Sequence, residues 1–181
     1  MWTRIAATLW GFAESTLFFI VPDVLLSAIA IRDLRKALFA SVLATLGAMA
    51  GGSVMYFGSA NPGQHDAIVR AVESLPDVRP NMPFNAQVQF QEYGAMATLL
   101  GPLSSTPYKV YAVQAPANQV PYWQFLLMTP AARLPRFLLV SCFAAIAARY
   151  LRPALGTRGL YALWSIAWLS IYLVLWRSLI F

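Results

Sequence analysis

Two carboxylates and three cations stand where an apolar chain has least reason to carry charge. Glu14 and Asp23 fall within residues 5–31, Lys109 within residues 94–118, and Arg133 and Arg136 at the head of a further apolar run. A charged side chain inside a membrane span costs about 2.5–3.5 kcal/mol on insertion scales, so it faces a cavity or a partner. An acid held that way is a candidate proton-exchange group. The plainer alternatives are that Glu14 sits in the headgroup layer and that Asp23 caps a half-helix beside Pro22. Arg133 and Arg136 are three apart and share one face of a helix. Their planar forks match phosphate oxygens bidentately, whereas the plainer reading is snorkelling to an interface. Lys109, near the tip of its segment, is placed to pair with Asp23 if the two interruptions meet.

Those charges need elements to position them. Residues 5–31 are apolar but broken at Pro22-Asp23, and each arm is shorter than the roughly 20 residues that cross a hydrocarbon core. A re-entrant hairpin fits. Residues 37–58 form an unbroken run of about 33 Å as a helix, enough to span. Within it Gly47 and Gly51 make a small-xxx-small face, either for close helix packing or as a generic small-residue run. Residues 59–93 are the one polar stretch. Asn61-Pro62-Gly63 signals a turn. Ile68, Val72 and Leu75 then recur at helical spacing, which predicts a short amphipathic helix at the membrane surface. The alternation from Phe84 to Phe90 is formally strand-like, but with no partner strand a helix leading to Gly94 is expected.

Residues 94–118 repeat the first pattern, with a second hairpin broken at Thr106-Pro107. Ser104-Ser105-Thr106 before Pro107 predicts a hydroxyl cap with proline at the first helical position. Residues 119–130, with Val120, Tyr122, Trp123 and Phe125, read as interfacial. A span over 134–151 follows, then a turn around Pro153 and Gly156, then a last span over 159–179 with Trp164, Trp168 and Trp176 marking depth. Interrupted apolar segments at matching places in two halves point to a transporter-like site near the bilayer midplane. The expected fold is all-α: one membrane domain of two inverted hairpin-plus-helix repeats and an extra C-terminal span.

Composition agrees with the bilayer as solvent. The 181 residues are 59% hydrophobic and 11% charged, against about 45–50% and 25% for soluble domains. The net charge of +6 comes without a basic stripe interleaved with aromatics, so no nucleic-acid partner is expected. One cysteine and one histidine leave no zinc cluster, and neither a metal nor another cofactor is expected. The first residues mimic a signal peptide, but Glu14 and Pro22-Asp23 inside the apolar core argue against cleavage. Intramembrane serine proteolysis and phosphatidic-acid phosphatase chemistry both need histidines in or beside the spans, and His65 lies in the polar loop, so no enzyme is expected. With Arg32, Arg35 and Lys36 facing the cytoplasm, the polar loop lies outside. The inner side then gathers Arg4, Arg149, Arg152 and Arg158, in line with the positive-inside rule. Arg133 and Arg136 fall on the outer side, against that rule.

Three motifs carry a resemblance: Glu14-Ser-x5-Val-Pro22-Asp23-Val-Leu-Leu, Thr106-Pro107-Tyr-Lys109-Val-Tyr-Ala, and Arg133-x2-Arg136-Phe. Across most of residues 8–151 the chain resembles the DedA/VTT (SNARE-associated-type) superfamily of membrane proteins, in particular its short YqaA-like branch. The resemblance implies two facing re-entrant hairpins in a multi-pass inner-membrane protein. It implies movement of phospholipids or undecaprenyl phosphate between leaflets, coupled to proton gradients in bacterial members. It maps the essential acids onto Glu14 and Asp23 and the arginine pair onto Arg133 and Arg136. Lys109 joins the arginines as an expected phosphate ligand. The expected partner is a membrane lipid or isoprenoid phosphate, with a homo-oligomer possible. Two other readings stay open: a non-transporting scaffold that oligomerises through Gly47 and Gly51, and a small ion or solute channel.

Overall fold

The computed structural model describes residues 2–104 and 106–180, without the side chains of Leu103, Trp176 and residues 178–180. Ser105 and the Trp176 side chain, both singled out above, lie outside the described residues. Within them the chain is 84% helical and has no strand. In order come α1 (Trp2–Glu14), α2 (Asp23–Ala30), α3 (Leu34–Ser59), α4 (Pro62–Glu73), α5 (Met82–Tyr93), a 3-10 helix (Gly94–Leu100), α6 (Gly101–Ser104), α7 (Tyr108–Ala117) and α8 (Tyr122–Ile180). Two of these, α3 and α8 as far as Leu175, are long and apolar enough to cross a membrane. Large apolar side chains such as Phe39, Leu46, Phe57, Leu139 and Phe143 point out of the molecule along them.

The first third folds around α3. Arg4 lies over the Phe39 ring at 5.0 Å, Gly11 abuts Ala44, and Phe12 and Ser15 abut Gly51. The contacts climb both helices together, so α1 runs alongside α3 in the same direction. A Cβ on Gly47 would strike the Thr8 carbonyl and one on Gly51 the Phe12 carbonyl. The small-residue face is therefore spent inside the chain, letting the α1 backbone lie directly on α3. After Glu14 the backbone leaves the helix until Asp23. α2 then returns: Leu26 packs with Ala40 and Ala44, and Ile31 reaches Ala148 and Leu160. Asp33 closes the turn as the N-cap of α3, accepting from the Lys36 backbone N–H at 3.0 Å.

The polar stretch folds onto the protein. Asn61 caps α4 with Pro62 in its first turn, as the turn signal predicts. Val72 joins a buried cluster with Met55, Val110 and Val113, and Ile68 and Leu75 pack against it. The apolar stripe of α4 thus faces protein rather than the membrane surface. Residues 82–93 are helical and end at Gly94, whose φ of 55° suits glycine. α7 begins one residue later than the cap pattern predicts. Pro107 takes the cap position with extended backbone, and no side chain caps the helix there.

The largest departure is α8. Residues 122–130, expected as a separate interfacial stretch, form the first turns of this helix. Tyr122 already starts the helix, and Phe125 is buried, stacked on Tyr108 and Tyr56. α8 runs antiparallel to α3: Tyr122 bonds Ser53, and Ser141 bonds Ser41. Pro130, Pro135 and Pro153 lie within it, and only Gly156 (φ 64°, ψ 178°) leaves helical geometry. There the helix bends, and the arm beyond it turns back along α2.

Candidate functional site

The break after α1 and the break before α7 line one cavity of about 710 Å³. Phe19, Ile20 and Val21 come from the first, and Thr106, Pro107 and Tyr108 from the second. Glu14, Arg133 and Arg136 join them from α1 and α8. Arg133 and Arg136 lie about 16 and 21 Å along α8 from Tyr122 at 1.5 Å per residue. They are well inside the helix rather than at its head.

Each arginine already holds an acid. Arg133 donates through Nη2 to Glu14 Oε2, with both side chains buried. Its guanidinium also lies against the rings of Tyr108 and Phe137, 5.4 and 5.0 Å from their centroids. Arg136 donates through Nη2 to Asp23 Oδ2 at 2.6 Å; Asp23 is buried but the Arg136 side chain is 40% exposed. The second oxygen, Asp23 Oδ1, is buried without a hydrogen-bond partner. Helix geometry explains the pattern: the i,i+3 spacing sets both guanidiniums on one face of α8, against the last residue of α1 and the first of α2.

Lys109 departs from expectation. It pairs with Asp77, not Asp23, at 3.0 Å, and donates to the Phe18 carbonyl at 2.8 Å. Its side chain is fully buried and does not line the cavity, so a direct phosphate contact from it is not what the structure supports. It instead fastens the first break, α7 and the loop between α4 and α5. Burial pushes the Asp77 carboxyl above its ordinary range, with the Lys109 charge opposing. Thr106 is buried beside the break and takes a hydrogen bond from Ser104 at 3.2 Å.

Other lining residues escape sequence reasoning. Pro76, Asp77 and Arg79 bring the polar loop into the wall, and Trp168, Ile171, Tyr172 and Leu175 bring the final arm of α8. Trp164 and Trp168 donate to Ser27 Oγ at 2.9 and 3.1 Å, and Tyr172 Oη accepts from the Val21 N–H at 3.0 Å. A signal for that arm was present: 164, 168, 172 and 175 recur at three- and four-residue steps and share a helix face. Nothing comparable marks Asp77 or Arg79.

Comparison with protein-family models, with curated proteins and with solved structures finds no match for this chain.

Proposed function

We propose that the chain is a membrane carrier of the DedA/VTT type that moves a lipid phosphate, phospholipid or undecaprenyl phosphate, between leaflets with a proton. The observation that carries this reading is the shared cavity: two helix interruptions, Glu14, Arg133 and Arg136 line it, and Asp23 reaches it through its pair with Arg136. In this reading α1–α2 and the 3-10 helix through α7 act as facing re-entrant hairpins in a multi-pass inner-membrane protein. The cavity's walls favour an amphiphile over a small ion. Charged groups line one side, and Ile171, Trp168 and Leu175 offer an apolar side for lipid chains. The scaffold alternative has less support, because Gly47 and Gly51 are covered by α1.

The chemistry is an exchange of anions. With the site empty of lipid, Asp23 neutralises Arg136. A phosphate arriving at the exposed edge of Arg136 brings a second anion to one guanidinium. Taking a proton on Asp23, with Oδ1 as the unoccupied oxygen, cancels the surplus charge and releases the fork to grip phosphate bidentately. Loss of the proton on the other side restores the Asp23–Arg136 pair and expels the lipid. Glu14 and Arg133, a buried pair in the cavity wall, form the fixed half of the frame.

The test is translocation of a labelled phospholipid in liposomes, normalised to folded protein. Arg136→Ala is expected to lower the rate at least about tenfold, the scale of one lost charge-assisted hydrogen bond. Glu14→Gln is expected to lower it as well. Asp23→Asn mimics the protonated acid and should keep movement down a lipid gradient while losing its response to a pH gradient. Unchanged translocation in Glu14→Gln and Arg136→Ala would rule the mechanism out.

A further inference from the structure

Four cations stand at or beside the cavity, and three are committed. Arg133 is held by Glu14, Arg136 by Asp23, and Lys109 by Asp77 and the Phe18 carbonyl. The fourth is Arg79. It lines the cavity, it is exposed, and among the described residues no carboxylate lies within ion-pair distance of its guanidinium. Nor is it loosely placed. Its loop runs between Pro76 and Pro80, Val78 beside it is buried, and its own backbone N–H donates to Met82 Sδ at 3.3 Å. Two residues earlier Asp77 is pinned to a lysine that also holds the first helix break. Tying a loop carboxylate to a fully buried lysine is otherwise a costly way to build a connection. Here it fixes the position of Arg79, which among the described residues has no acid to give up.

From this we infer that Arg79 is the residue that first captures the substrate's phosphate and sets the preference for an anionic head group. The inference deepens the carrier reading and rests on it for the identity of the ligand. An incoming phosphate meets no competing carboxylate at Arg79, whereas at Arg136 it must displace Asp23. Capture at the loop and transfer to Arg136 therefore follow in that order. The Asp77–Lys109 pair acts as positioning for Arg79. The recognised chemistry is a phosphate ester or phosphate anion, and the experiment separates a lipid from a free ion.

The test is binding to the purified full chain in detergent, followed through its intrinsic tryptophan fluorescence, since Trp168 lines the same cavity. The probes are a short-chain phosphatidic acid, the matching neutral diacylglycerol and inorganic phosphate. Arg79→Gln is expected to weaken phosphatidic acid binding about tenfold, the scale of one charged hydrogen bond, and to reduce its salt dependence. Diacylglycerol binding should not change, and Arg79→Lys should recover part of the loss. Because Arg79 is exposed, the variant should keep its helical circular dichroism and elution volume. Equal phosphatidic acid affinity in wild type and Arg79→Gln would overturn the inference. If inorganic phosphate binds as tightly as phosphatidic acid and depends equally on Arg79, the capture role stands and the lipid reading falls.

Discussion

The two ion pairs on α8 are built from the same spacing and differ in what surrounds them. Glu14–Arg133 is closed in by the rings of Tyr108 and Phe137. Asp23–Arg136 has a buried acid and a base that lines the cavity with its side chain 40% exposed. The first pair can change partners only by leaving a charge stranded in an apolar setting. In the second pair one partner remains in reach of water or of another anion throughout. Neighbouring pairs on one helix face thus differ in setting: one holds the α1 end against α8, and the other, in the carrier proposal, is the one that exchanges partners.

That division is tested most severely at Glu14. Glu14→Gln leaves the Arg133 guanidinium between two aromatic rings without its ion-pair partner. Breaking a buried pair from one side costs about 3–5 kcal/mol, so a large fall in the thermal unfolding temperature in detergent is expected. The double variant Glu14→Gln, Arg133→Gln should recover most of it, because the penalty comes from the stranded charge rather than from the lost attraction. Asp23→Asn should cost less, about 1–2 kcal/mol, since water reaches Arg136 and the amide oxygen still accepts from it. Equal losses at the two sites would erase the distinction between a sealed and an open pair.

The contrast also explains which parts were legible in the amino-acid order. Glu14, Asp23, Arg133 and Arg136 stand out because charge inside an apolar stretch demands a partner, and the structure pairs them with one another. The helix breaks at Pro22 and Pro107 were legible for the same reason that proline ends hydrogen-bond ladders. The turn expected around Pro153 and Gly156 is the bend at Gly156, whereas the start of α8 at Tyr122, ahead of Pro130 and Pro135, was not expected. The Lys109 partner was hidden differently. Asp77 lies in a polar loop whose position depends on α4 burying Val72 against α7, and no local pattern encodes that docking. Gly47 and Gly51 announced a close approach without saying to which helix, and α1 answers from the same chain.

A third acid extends the comparison to the surface, where the smallest effect is expected. Asp33 pairs with Lys36 at 3.0 Å, and the Lys36 side chain is 73% exposed. The Lys36 backbone N–H, then its side chain, hold the Asp33 carboxyl below its ordinary value of 3.8. A depressed value means that the ionised form is the one the fold favours. Its contribution is therefore present above the unfolded-state value and disappears as pH falls through the folded one. Asp33→Asn keeps a neutral N-cap but has no proton to bind. Stability measured from neutral pH down through the carboxylate range should decline slightly less steeply in this variant than in wild type, with little difference at neutral pH. If exposure governs the cost of losing a partner, the three acids rank Glu14, Asp23, Asp33. An Asp33 effect as large as that at Asp23 would mean that the cap, not burial, sets the scale, and the exchangeable character assigned to Arg136 would lose its physical basis.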